Sequence, residues 1–533
     1  MTTPEHDVII VGAGFAGMYT TIHAVRSGLD VLGLEAAPDV GGTWYWNRYP
    51  GARCDVESID YSFSFDDDLQ REWRWTERYA TQPEILSYLN HVADRFDVRP
   101  HYRFDERVAS ATWDEDAQLW RVGTESGFTT SARWLVMASG GLSKPQLPAI
   151  AGRDSFAGDV LQTSAWPHEP VDLSGKRVAI IGTGSSGVQA IPLLAADADE
   201  LVVYQRSANY SVPAFNRDID DAEWARQQEN LAERRQLSWH GAAGSPWTTQ
   251  PLPFADADDA QRDEIFEEGW TRGGVLFAKT FQGLTVDPVI NDAARVFFER
   301  KLAEKVADPE VRSALTPRDH PVGTKRICTD SGYYETYNEP HVTLVDLRRD
   351  PIEEIVPNGI RTTAGLREHD VIVYATGFDA LTGALTAVDI RGRDGRSLRE
   401  DWKELPSTYL GVALPGYPNM LILNGPGSPG VLANMALTSE QQGDYALRMI
   451  DHCRRNGYTS IEARADAASA WTAHCLELAD KTLFGQAPSW YTGANIPGKA
   501  RGFLPYIGGF RTYIDHCEAV AAADYRGFVL SSR

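Results

Sequence analysis

The sequence predicts an α/β protein with two Rossmann-like dinucleotide-binding domains, for FAD and NADP, and a helical insertion in the second. Three observations predict it. Two glycine fingerprints, Gly12-Ala13-Gly14-Phe15-Ala16-Gly17 and Gly182-Thr183-Gly184-Ser185-Ser186-Gly187, each directly follow an apolar run: VIIV at 8–11 and RVAII at Arg177–Ile181. A third run, DVIVY at 370–374, leads into Ala375-Thr376-Gly377. Short unbroken apolar runs closed by glycine mark strands buried on both faces, as in a parallel sheet. Between 218 and 317 the chain is instead charged, with apolar residues at helical spacing.

The elements follow in order. The first strand, the helix opened by its fingerprint and the strand Val31–Leu34 make one β-α-β unit. Gly12 permits the tight turn, Gly14 lets the backbone approach a pyrophosphate, Gly17 lets helix pack on strand, and the helix N-terminus attracts the anion. Glu35 follows the second strand, 18 residues after Gly17. A carboxylate there accepts from ribose hydroxyls and repels a 2′-phosphate, which suits FAD or NAD and not NADP. The second unit ends in a strand at 201–205 followed by Arg206-Ser207, with Arg206 19 residues after Gly187. A guanidinium at that point pairs with a 2′-phosphate and selects NADP. An acid-ended first module and an arginine-ended second imply FAD plus NADPH, and hydride transfer into a flavin. In the insertion, Trp224 and Leu231, then Val296, Phe297 and Leu302, define apolar helix faces. Asp308-Pro309-Glu310 reads as an N-cap, a proline at the first helical position and an acid in the first turn. A later helix is expected from 438 to 457, opened by a Thr438-x-x-Gln441 capping box and stopped by Gly457.

Composition narrows the function classes. The 533 residues suffice for two to four domains, and the formal charge of −23 argues against a nucleic-acid or anionic-membrane partner. Cys54, Cys328, Cys453, Cys475 and Cys517 are scattered without a C-x-x-C pair, so neither a disulfide framework nor a metal site is expected, and a reducing cytoplasm fits. A flavin disulfide reductase needs a cysteine pair soon after the first module; only Cys54 stands there. The first residues lack a basic region and cleavage site, and no apolar stretch approaches the ~20 residues that span a bilayer, so neither signal peptide nor membrane anchor is expected.

The stretch Gly41-Gly42-Thr43-Trp44-Tyr45-Trp46-Asn47-Arg48-Tyr49-Pro50-Gly51-Ala52-Arg53-Cys54-Asp55 and the pattern from Phe156 through Gln162 to Trp166-Pro167 carry a resemblance. So do Lys325-Arg326, Ala375-Thr376-Gly377-Phe378-Asp379, the motif Gly425-Pro426-Gly427-Ser428-Pro429 and Ser489-Trp490-Tyr491-Thr492-Gly493-Ala494-Asn495. Over essentially its whole length the chain resembles the Baeyer–Villiger monooxygenases, the class B flavoprotein monooxygenases. The segments 205–211 and 330–338 look most like the steroid and phenylacetone monooxygenase subgroup.

The resemblance implies that NADPH reduces FAD, that O2 adds to the flavin as a C4a-peroxide, and that this anion attacks a ketone to give an ester or lactone. Sulfoxidation is an expected secondary activity, and bulky, aryl or polycyclic ketones are the expected substrates. It implies catalytic roles for Arg326, whose permanent charge stabilises an anion without surrendering a proton, and for Asp55 as its partner. It places Gly12, Gly14, Phe15, Ala16, Gly17, Glu35, Thr43, Trp44, Tyr45, Trp46, Asp55, Tyr61, Val108 and Met435 at FAD. NADP falls to Arg53, Cys54, Asp55, Thr183, Gly184, Ser185, Ser186, Gly187, Gln189, Arg206, Ser207, Lys325 and Arg326, with Trp490 on the nicotinamide ribose. Ser428, Pro429, Gly430, Val431 and Leu432 would shape the ketone pocket. The segment 489–501, with Gly493, Pro497 and Gly498, reads as a lid that excludes water. The implied division is 1–140 for the first part of the FAD domain, 141–217 for the linker and first part of the NADP domain, 218–320 for the insertion, 321–378 for the rest of the NADP domain and 379–533 for the C-terminal part of the FAD domain. A monomer or small homo-oligomer is expected.

Two positions depart from the family pattern. Gln162 stands where the fingerprint has histidine, which keeps donor and acceptor but forgoes a cation and bears on coupling and rate; His168 is expected to be a surface residue and no substitute. Gly141 stands where a longer polar side chain is usual near the flavin. Two alternatives stay open: a heteroatom-oxidising flavin monooxygenase, and an uncoupled NADPH oxidase or sensor flavoprotein.

Overall fold

The structure, a computed structural model, describes residues 4–532. Its first sheet has eight strands. His6–Val11 lies parallel to Val31–Leu34 on one side and to Thr129–Met137 on the other. Val8 and Ile10 pack with Tyr445, Ala446 and Met449 of the long helix Met435–Asn456, while Ile9 and Val11 pack with Leu385, Ile390 and Leu414. Both faces are thus buried, which explains the unbroken apolar run. The sheet is mixed, not wholly parallel: Val108–Asp114, Leu119–Thr124 and Thr129–Met137 form an antiparallel meander. Tyr102–Arg103 lies at the edge beside Val31–Leu34, and two strands from far along the chain, Asp389–Arg391 and Met420–Ile422, complete it.

The second sheet is wholly parallel, in the order Val342–Asp346, Glu200–Gln205, Arg177–Ile181, Val371–Tyr374, Asp159–Gln162. Gln162 closes its edge strand opposite Tyr374. Five helices form the insertion: Asp221–Glu229, Leu231–His240, Asp259–Arg272, Pro288–Lys305 and Pro309–Leu315. Phe266, Trp270, Phe297 and Leu302 join Val178 and Ile180 of the sheet in one core.

Three local expectations are corrected. Val296 is 54% exposed, because Phe297 and Phe298 point inward and turn the helix face by one residue. Trp224 and Leu231 sit on two helices, since Asn230 ends the first. The long helix starts at Met435, capped by Asn434 accepting from the Ala436 N–H; Thr438 lies inside it and donates to the Met435 carbonyl, so no capping box forms at Thr438. The Asp308 cap forms as expected, accepting from Glu310 and Val311, and Gly457 ends the long helix at φ +72°.

Two chain crossings join the sheets, one leaving Met137 and one leaving Tyr374, and they pair with each other. Pro145 and Phe378 form an antiparallel bridge. The N–H groups of Gln146, Asp379 and Leu381 donate to Gly377 (2.9 Å), Lys144 (2.8 Å) and Gly141 (2.8 Å).

Candidate active site

The first cradle is built by close approach. A Cβ on Gly12 would meet the Ala138 carbonyl oxygen at 2.5 Å, and one on Gly17 would meet the Gly12 carbonyl oxygen at 1.8 Å. Helix Phe15–Arg26 starts at Gly14 with no side-chain cap, leaving its first N–H groups free for an anion. Glu35 is buried and receives the Ala13 N–H at 2.6 Å and the Ala37 N–H at 2.8 Å. Burial pushes its carboxyl up, against those two bonds. Val108 packs beside Val11 and Leu34, close to where the Glu106 N–H reaches the Glu35 carbonyl. Thr43–Trp46 is one helical turn, held where Gln82 donates to the Trp44 carbonyl (2.5 Å). Trp44 donates to the Tyr61 hydroxyl (3.2 Å), whose ring meets Phe15 at 5.0 Å. The Tyr45 carbonyl accepts from Arg48 (2.5 Å), and Ala16 and Met435 are half-buried. His168 is exposed as expected, yet its Nδ1 lies 2.8 Å from Arg48.

The second cradle repeats the design. A Cβ on Gly187 would meet the Gly182 carbonyl oxygen at 2.3 Å, whereas one on Gly184 would meet nothing within 4 Å. The open space at Gly184, before a helix with no side-chain cap, is what a dinucleotide phosphate requires. Thr183 donates to the Ser207 carbonyl (3.0 Å), and the Ser185 hydroxyl lies 3.6 Å from the Cys328 sulfur. Arg206 is exposed just past its strand. Burial lowers the Lys325 ammonium, Asp319 opposes the shift, and Arg206 adds to it as a neighbouring cation. Lys325 lies 3.4 Å from Asp319, which also contacts His320 at 2.6 Å. Lys325 thus has one carboxylate partner and the Arg206 cation as a neighbour.

The cradles are bolted together. Tyr49 donates to Gln189 (2.8 Å), Gln189 donates to the Arg53 carbonyl (3.1 Å), and Ser186 hydrogen-bonds near Tyr49. Arg53 pairs with Glu77 at 3.1 Å. Burial pushes the Cys54 thiol up, and all five cysteines are free. At the junction Arg326 forks onto Asp55, Nε to Oδ2 and Nη2 to Oδ1, both 2.7 Å, and Nη1 donates to the Val431 carbonyl at 3.2 Å. Burial opposes the guanidinium's charge, but Asp55 holds its pKa above the ordinary value. The side chains stay 28% and 25% exposed, enough to meet a ligand. Val431 belongs to the turn Gly430–Leu432, whose Leu432 N–H donates to the Pro429 carbonyl (3.0 Å). Ser428 donates to the Gly425 carbonyl (2.7 Å) and accepts at its own carbonyl from Tyr506. Trp490, half-buried, packs with Val431 and Leu381.

The structure therefore brings Asp55, Arg326, Val431 and Trp490 to one junction. Sequence reading missed Asp319 and His320 beside Lys325, and Tyr491, whose burial pushes its hydroxyl up to about 12 near Arg326. An isolated Asp-His pair and one tyrosine among 21 have no spacing to single them out.

Two glycine cradles, each before an uncapped helix, with a charged fork between them define a flavoprotein oxidoreductase that uses two dinucleotides. The family model described as pyridine nucleotide-disulphide oxidoreductase matches residues 9–233. A Baeyer–Villiger monooxygenase of Pseudooceanicola batsensis is 43% identical, over 98% of this chain and 96% of its own. A phenazine N-monooxygenase of Lysobacter antibioticus is 41% identical, over 99% and 97%. The solved structure of an oxidized steroid monooxygenase bound to NADP is 50% identical with a TM-score of 0.95, covering 99% of this chain and 100% of that one. The chain belongs to the Baeyer–Villiger monooxygenases. It is an oxidoreductase whose cofactors are FAD and NADP.

Proposed function

We propose that the protein inserts one oxygen atom of O2 beside the carbonyl of a bulky aryl or polycyclic ketone, giving an ester or lactone, with NADPH as reductant. The observation that carries this reading is the Arg326 fork on Asp55, whose third group reaches the Val431 carbonyl. Bound FAD would take a hydride from NADPH and activate dioxygen. Arg326 would stabilise negative charge on oxygen and on the tetrahedral adduct, and its permanent protonation keeps it from quenching that charge with a proton. Asp55 fixes the direction of the guanidinium.

The other assignments belong to the same proposal. The free N–H groups after Gly14 and Gly184 would hold the two pyrophosphates, with Glu35 on the FAD ribose. Thr43–Trp46, Tyr61, Val108 and Met435 would surround the rest of FAD. Arg206 and Lys325 would grip the 2′-phosphate of NADP, and Trp490 with 489–501 would cover the nicotinamide. Residues 428–432 would border the ketone. The apolar group of Leu142, Leu381, Leu405, Leu504, Val431 and Trp490 beside them supports a large apolar substrate. The division at 140, 217, 320 and 378, and a monomer or small homo-oligomer in solution, complete the proposal.

Oxidation of nitrogen is a second reading, favoured by the phenazine N-monooxygenase relative. Thioether oxidation is proposed as a side activity. One assay separates the readings: NADPH consumption with a ketone panel, thioanisole and phenazine, scored with product identity and hydrogen peroxide. Ester from aryl or polycyclic ketones supports the first reading. N-oxide or sulfoxide without ester moves the assignment to heteroatom oxidation. Ketone-independent consumption with stoichiometric peroxide contradicts both.

A further inference from the structure

A cavity of about 540 Å³ shares no lining residue with the junction of the two cradles. Its size suits a small organic molecule. One face of helix Ala465–Asp480 borders it, where Ala467, Ala470, Trp471 and His474 recur at helical spacing. The two alanines leave the space and the two rings bound it. Tyr409, His516 and Arg526 stand around the rest.

The charges there favour an anion. Asp466 is committed to Arg464, accepting from Nε at 2.9 Å and from Nη2 at 2.7 Å. Among the described residues the Arg526 guanidinium has no ion pair. Its main chain is fixed, since its carbonyl accepts from the Tyr409 hydroxyl at 3.0 Å and the next carbonyl, of Gly527, accepts from the Arg464 N–H at 2.8 Å. One uncompensated planar fork, in a chain of net charge −23, suits one carboxylate. The imidazoles of His474 and His516, 5.6 Å apart, offer further N–H groups. The rings favour a flat apolar body behind that charge: Trp471 meets His516 at 5.2 Å, and Tyr409 borders the same space.

Trp471 also reaches the turn beside Arg326. Its indole N–H donates to the Gly427 carbonyl at 2.9 Å, and a Cβ on Gly427 would come within 3.1 Å of that nitrogen. Tyr506 stacks on Trp471 with centroids 5.2 Å apart and donates its N–H to the Ser428 carbonyl at 2.8 Å. Three residues on, the Val431 carbonyl receives Arg326.

We propose that this cavity is a second ligand site, for an aryl carboxylate, with Arg526 on the carboxylate and the ring against Trp471, and that its occupancy is felt at 427–431 through the Trp471 indole. A ligand that holds Trp471 still also holds Gly427, and linkage makes the effect mutual: whatever the carboxylate does to ketone affinity, the ketone does to carboxylate affinity. The second half rests on reading 428–432 as the border of the ketone; the ligand site itself does not.

The test is titration calorimetry of the FAD-loaded, NADP+-bound enzyme with naphthalene-2-carboxylate, naphthalene-2-carboxamide and inorganic phosphate, followed by hydrogen exchange with mass spectrometry. The variants are Arg526→Met, which drops the charge, and Ala470→Trp, which fills the space and keeps the charge; flavin absorbance and Tm verify that each folds. The wild type should bind the carboxylate with Kd below about 1 mM, and the amide and phosphate at least about tenfold more weakly. Arg526→Met should weaken the carboxylate at least about tenfold, and Ala470→Trp should abolish its binding. In the wild type the carboxylate should slow exchange of 464–474 and 425–432 together and shift KM for a ketone at least about twofold, and in Ala470→Trp it should do neither. No binding by the wild type, or binding that both variants keep, would overturn the site. Phosphate bound as tightly as the carboxylate would overturn the ligand class. Protection of 464–474 without 425–432 would overturn the link to the turn. Protection of both segments with KM unmoved would overturn the reading of 428–432 and leave the site standing.

Discussion

Arg326 and Asp55 were joined in the sequence reading only through the family resemblance, because 271 residues separate them and a Lys-Arg dipeptide is ordinarily a solvated pair. The structure supplies the physical reason for choosing arginine: a planar fork that uses two nitrogens on Asp55 and keeps a third for Val431. Lysine has the charge without the fork and has a proton to give. Arg326→Lys should therefore keep NADPH-driven flavin reduction within about threefold, lose at least roughly 10²-fold in ester formation, and divert reducing equivalents to hydrogen peroxide; product analysis beside a peroxide assay reads it. The place of Arg206 after a strand was legible and its nearness to Lys325 was expected through the resemblance, whereas the Asp319 carboxylate beside Lys325 was not, since no spacing in the sequence singles it out. Arg206→Ala should raise KM for NADPH by about 10–100-fold and leave KM for NADH nearly unchanged, because only the former has the 2′-phosphate.

At the scale of elements, the two glycine fingerprints carry different kinds of constraint, and substitution separates them. Gly187→Ala would drive a methyl to 2.3 Å from the Gly182 carbonyl oxygen, whereas Gly184 has ordinary backbone angles and empty space before it. Gly184→Ala should fold with Tm within about 2 °C of the wild type and weaken NADPH binding by at least about tenfold; Gly187→Ala should lose several kcal/mol of stability, read by thermal melting. The long helix Met435–Asn456 shows the opposite side of legibility. Its glycine stop was readable, but the start was misplaced because Asn434 caps it through a pairing that the Thr438-Gln441 pattern imitates. Inside it, burial pushes the Glu440 carboxyl from 4.5 up to about 7, partly countered by two bonds from Ser64. The folded state binds this proton more tightly than the unfolded chain, so stability is full below about pH 4.5 and declines as pH rises to about 7. Glu440→Gln should remove that decline. Denaturant unfolding should show its advantage over the wild type growing by on the order of 3 kcal/mol between about pH 4 and pH 8.

Across the whole molecule, the local β-α-β units were readable because each is contiguous. The closure of the first sheet by Asp389–Arg391 and Met420–Ile422, and the antiparallel meander within it, depend on pairings with no local signature. The same long-range closure assembles the site. Asp55 follows the first cradle, Arg326 comes from the chain beyond the insertion, and Val431 comes from the returning C-terminal segment. Three distant stretches must therefore dock before the charged fork exists, which makes the junction the consequence of the entire topology. The most direct measurement is made on Arg326→Ala, loaded with FAD and supplied with NADPH, O2 and a ketone that the wild type oxidises, following anaerobic flavin reduction by absorbance and ester yield by mass spectrometry. Reduction should proceed at a rate close to that of the wild type with no detectable ester. Ester at the wild-type yield would mean that this guanidinium has no part in placing the oxygen.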